Sequence, residues 1–123
     1  MRLERAAVLE RFGRLAGLPS REVLRHPYLC GDAAAQIEGM IRDDAPESAM
    51  EVLCAAAAAL AFYRLMLLEN SLGPERFSAG ELQVQKNTQA VQRAQQIWNE
   101  YQKAAAPYLL DQEFVFERVG GKP

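Results

Sequence analysis

The chain has 123 residues, half of them hydrophobic, with 14 basic and 16 acidic side chains and a net charge of -2. That length sets an expectation of one domain, spanning 1–123, able to bury roughly two-thirds of its unfolded surface. The charge balance gives none of the overall basic footprint of a generic DNA binder, and two cysteines are too few for a disulfide framework.

In chain order, the first predicted helix covers Arg2 to Ala16. Val8, Phe12 and Leu15, with Leu9 and Ala16, recur at helical spacing, and charged residues fill the other side. Those charges also interrupt any secretory-type apolar core near Met1. Gly17 is the expected stop, with Pro19 just beyond it. Ser20 opens a short helix to Arg25. His26 precedes Pro27, which disfavours helix there, so Pro27 to Gly31 is expected to be a turn. Asp32 then caps a second helix with Ile37, Met40 and Ile41 on one face. Asp43 to Pro46 breaks it, with Asp44 a candidate cap and Pro46 in the first turn of the next helix.

The third main helix runs from about Pro46 to Asn70 and is apolar nearly all round in its middle. That pattern places it at the centre of a core, packed against the first and last helices. The tract Ala55 to Ala59 lets neighbouring helices approach closely. The apolar run Val52 to Leu68 is shorter than the roughly 20 residues of a membrane span and contains Arg64, so a buried core helix is expected and no membrane. Ser71 to Pro74 ends it.

Phe77 to Gln85 is read as a β-hairpin. Leu82 and Val84 alternate with Glu81, Gln83 and Gln85, and Gly80 can supply the turn. Asn87 or Thr88 caps the last helix, which reaches about Ala106. Its stripe is Val91, Ala94, Trp98, Tyr101 and Ala105, against an outward Gln-rich face. Glu113 to Glu117 is a short apolar tail, and 118–123 is expected to fray. The predicted fold is therefore mainly α: a small helical bundle of about four helices, with one short β-hairpin between the last two long ones.

Reactive groups are sparse. The sole histidine, His26, lies next to a proline and reads as a turn residue rather than a base. Cys30, Cys54 and Asp32 lack the tight paired spacing of a structural zinc site, so neither metal nor other cofactor is expected. Both cysteines read as free buried thiols. Asp43 and Asp44 read as helix-end residues. Trp98 and Tyr101 with Arg93 could stack on a base, but their place in the apolar stripe makes them core. No enzyme, small-molecule substrate or specific nucleic-acid binding is expected.

Three segments carry a resemblance. They are the Ala-rich stretch Leu53 to Arg64, the segment Phe77-Ser78-Ala79-Gly80-Glu81-Leu82-Gln83-Val84, and the end Ala104 to Phe116. Over roughly its last two-thirds the chain resembles the small phage and prophage head-tail connector proteins, also called head-completion or adaptor proteins. The first helix and the Pro27 to Gly31 segment lie outside the likeness. The resemblance implies a non-enzymatic structural subunit that forms a ring at the portal and lines part of the DNA exit channel. Its implied partners are its own copies and portal or tail-completion proteins. Its implied location is the bacterial cytoplasm during assembly, then the virion. A small cytoplasmic helical protein-binding or regulatory module is the competing expectation. Phe77, Leu82, Val84, Phe114 and Phe116 are candidate protein-contact residues, because short alternating strands are marginal alone and invite pairing. The alternative is that they cover the ends of the bundle.

Overall fold

The structure is a computed structural model that describes residues 1–23, 25–70 and 81–110, with the backbone alone for Ser20 and for residues 81–88. The described residues are mainly helical: α1 (Arg5–Ala16), α2 (Ser20–Val23), α3 (Pro27–Met40), α4 (Met50–Asn70) and α5 (Glu81–Ala105). Short 3-10 turns at Glu47–Ala49 and Ala106–Tyr108 flank the last two. No strand occurs among the described residues beyond a single antiparallel bridge between Ile41 and Leu109.

Helix α1 stops where the glycine says it should. Gly17 takes the left-handed conformation at φ 67°. Its N–H bonds the Arg14 carbonyl at 3.3 Å, and the Leu18 N–H bonds Gly13 at 2.9 Å. These are the two bonds of a Schellman motif. Helix α2 ends at Val23, earlier than expected.

The turn expected over Pro27 to Gly31 is instead the first part of α3. Proline suits the first helical turn, where its missing N–H has no intrahelical partner to lose. From there Cys30, Ala33, Ala34, Ile37 and Met40 are buried at helical spacing. Asp32 therefore lies inside the helix and is not its cap. Asp44 does not cap the following segment either. Its carboxylate accepts from the Arg42 guanidinium at 3.1 Å, and that bond holds its pKa below the usual carboxylate value.

Helix α4 is the centre. It packs against α1, α3 and α5, and Leu53 to Phe62 is buried without a break, along with Leu65. Against it stand Val8 and Phe12 of α1, Ile37 of α3, and Ala94 and Trp98 of α5. The stretch Glu47–Asn70 is long and apolar enough to cross a membrane by length and composition, which is longer than the Val52 to Leu68 run suggested. The bundle accounts for that composition, since 61% of the stretch's most apolar window is buried inside the protein.

The hairpin expected over Phe77–Gln85 is not seen. Glu81 to Gln85 form the first turns of α5, while Phe77 to Gly80 lie outside the described residues. Helix α5 thus starts six residues before Asn87. Glu, Leu, Gln and Lys are all strong helix formers. Val84 also stands in register with Val91, Trp98 and Ala105 at seven-residue steps. Two alternations are too few to outweigh that longer period.

The C-terminal end of α5 is clamped to the end of α3. The Arg42 N–H donates to the Tyr108 carbonyl at 2.9 Å and the Leu110 N–H to the Met40 carbonyl at 2.7 Å. Leu109 is buried between them. A second tie joins the N-terminus to α3. The Arg5 guanidinium forks onto Glu38 at 2.8 and 3.2 Å, and the Leu3 N–H donates to the same carboxylate at 2.7 Å.

Candidate interaction sites

The groups that could carry chemistry are placed structurally. The His26 ring meets Phe12 edge-on, with centroids 6.4 Å apart. Cys30 and Cys54 are both buried free thiols. Burial pushes the Cys30 thiol up to about 11 and raises that of Cys54 as well, so both are held protonated and unreactive. Among the described residues no three His, Cys, Asp or Glu gather as a metal site. Trp98 is buried, so its ring face is not available to a base.

What the fold does present is apolar side chains at its two ends. Phe62 and Met66 of α4 share a pocket with Gln89, Ala90 and Arg93 of α5, and Ala55 shares one with Tyr101. The two helices therefore run antiparallel. Asn70, the last residue of α4, lies at one end of the bundle, and Leu110, clamped to Met40, lies near the start of α4. With 21 residues in α4, the two ends lie about 30 Å apart along the axis. Large apolar side chains stand exposed at both: Leu67 at 42% and Leu68 at 51% on the last turns of α4, and Leu110 at 53%.

Of the five predicted contact residues, Leu82 and Val84 fall on the first turn of α5, at the same end as Leu67 and Leu68. They sit on a helix, which removes the edge-strand reasoning that singled them out. Phe77, Phe114 and Phe116 lie outside the described residues.

A further surface escaped the sequence reading. Between α1 and α2 runs a groove of about 560 Å³ walled by Ala6, Leu9, Leu18 and Val23, with Gly13 in its floor and Arg14 at the rim. A Cβ on Gly13 would lie 2.8 Å from Val23 Cγ2, so the close approach of the two helices depends on glycine there. The available signal was a glycine inside an otherwise regular amphipathic helix.

No protein-family model matches the chain, and neither the curated proteins nor the solved structures searched contain a match.

Proposed function

We propose that the chain is a head-tail connector subunit of a phage or prophage, a structural protein that assembles into a ring at the portal. The observation that carries this reading is the placement of exposed leucines at two opposite ends of one rigid bundle. A two-fold dimer needs one self-complementary patch. A ring needs two different ones, and a connector must also meet a partner above and another below. A bundle with exposed apolar side chains at both ends suits those contacts. Of the three segments that carry the resemblance, Leu53 to Arg64 lies in the core helix and Ala104 to Leu110 at the clamp onto α3. The slight negative charge suits a channel that DNA must traverse without sticking. In this reading the protein waits in the bacterial cytoplasm and ends in the virion. It binds its own copies and portal or tail-completion proteins, with no substrate and no cofactor.

The test has two steps. Genes for portal, capsid and tail proteins are expected beside the coding gene. The purified protein is then mixed with that portal protein and imaged by electron microscopy, where a ring of density on the portal is expected. Absence of virion genes nearby, or a portal that stays bare, refutes the reading. A monomer or dimer that never engages the portal is the behaviour of a regulatory or protein-binding module.

A further inference from the structure

We propose that the groove between α1 and α2 receives the C-terminal tail of a second copy of this chain, so that tail-in-groove contacts join neighbouring subunits head to tail. This names one contact within the connector reading and rests on that reading only for closure into a ring.

Three observations point to this occupant. The first is shape and polarity. The groove is lined by Ala6, Leu9, Leu18 and Val23, with Glu10 and Arg14 beside them, and Gly13 in its floor lets Val23 of α2 approach α1 closely. It opens away from the core, since the buried side chains of α1, Val8 and Phe12, lie on its other side. The tail offers Phe114, Val115 and Phe116 in a row, an apolar segment of matching size. The second is charge. Residues 1–25 hold six arginines against three glutamates, whereas the tail 111–123 holds three acids, Asp111, Glu113 and Glu117, against two bases, Arg118 and Lys122, with the acids nearest the phenylalanines. Arg14 lines the groove beside Glu10, and acidic groups flanking the two phenylalanines would meet its exposed guanidinium there. Arg14 now pairs with Glu10 at 3.0 Å, an exposed bridge that is cheap to exchange. The third is reach. Residues 111–123 follow Leu110, which is anchored to the body by its bond to Met40. Thirteen residues extend up to about 45 Å, enough to cross to a neighbouring bundle. Tail and groove are different patches of one chain, so the contact between copies is heterologous and propagates to a ring or filament.

Two variants of the full chain test it, each defective in one half of the contact. Phe114→Ser with Phe116→Ser spoils the tail. Ala6→Glu, at an exposed helical position, spoils the groove with bulk and a charge that repels the tail. Light scattering should show the wild-type chain growing in mass with concentration and each variant staying monomeric. Mixing the two variants should restore one-to-one pairs, because one supplies a sound groove and the other a sound tail. A labelled peptide of residues 111–123 should bind the tail variant, and Ala6→Glu added to that variant should weaken binding by about tenfold or more. Circular dichroism and melting of each variant guard against misfolding. A mixture that stays monomeric overturns the proposal. So does a monomeric wild-type chain: with peptide binding to the tail variant, the tail fills its own groove; without it, the groove holds no tail. The connector reading survives either result, because portal binding is measured separately.

Discussion

The alanines of α4 allow the packing of the bundle to be tested one residue at a time. Five consecutive residues, Ala55 to Ala59, step round the helix by about 100° each and so sample its whole circumference. Ala56, Ala57, Ala58 and Ala59 are fully buried, and Ala55 is 6% exposed. A leucine at any of the last four must push into a neighbouring helix, which in a close-packed core costs about 1–3 kcal/mol. Ala55 differs, because it borders a cavity of about 140 Å³ shared with Arg11, Arg14, Leu15 and Tyr101. Three added carbons there have somewhere to go. Full burial would contribute about 0.8 kcal/mol per methylene. Incomplete burial and lost side-chain entropy reduce the net effect to roughly 0–1 kcal/mol of stabilisation. Thermal melts of the five Ala→Leu variants separate the cases, at about 3–6 °C per kcal/mol for a chain of this length. Four should fall and Ala55→Leu should hold or rise. Five equal losses would mean the Ala55 cleft is not real space, and five neutral results would mean that α4 is not surrounded.

Three further outcomes are expected. Leu60→Ala and Trp98→Ala each remove a large buried side chain from the core around α4 and should cost about 2–5 kcal/mol in chemical denaturation; near-wild-type midpoints for both would misplace the core. Gly13→Ala should destabilise through the 2.8 Å approach to Val23, yet become neutral or mildly stabilising when Val23 is also alanine. A double-mutant cycle measures this, and strict additivity would deny the contact. The fork from Arg5, opposed by partial burial and helped by the Leu3 N–H, holds the Glu38 carboxyl below its ordinary value. A lowered folded pKa stabilises above the unfolded value, near 4.3, and that contribution is lost as pH falls through the folded value. Glu38→Gln should therefore cost about 1 kcal/mol at neutral pH, since Arg5 is well exposed and screened. The melting gap between wild type and variant should close below pH about 4, and a gap that ignores pH would rule out the ion pair as its source.

The helices were legible wherever the deciding physics is local. Gly17 ends α1 because a left-handed residue is needed there and glycine supplies it. The middle of α4 declares itself by being apolar on every side, and the stripe from Val91 to Ala105 marks one face of α5. The misreadings came from residues whose local meaning is double. Proline and glycine between Pro27 and Gly31 punctuate loops, but a proline at the first turn is also a good start for a helix. Leu82 and Val84 alternate like a strand, yet Val84 also continues a seven-residue register. Only the rest of α5 decides between the two.

The interaction surfaces were harder to read, for a different physical reason. Leu65, Met66, Leu67 and Leu68 are one apolar run in the sequence. In the fold Leu65 is buried, while Leu67 and Leu68 are about half exposed. Hydrophobicity and periodicity are identical for a side chain that closes a core and one that lies at the surface, because both prefer to leave water. What separates them is which helices lie against each position, and that is set by contacts between residues distant in the chain, such as those of Phe62 and Met66 with Ala90 and Arg93. The α1–α2 groove obeys the same logic. It exists because Gly13 lets a four-residue helix approach to a distance that no neighbouring residue encodes. A contact surface on a small bundle is therefore a property of helix lengths and approaches. It becomes visible only once the bundle has been assembled around α4.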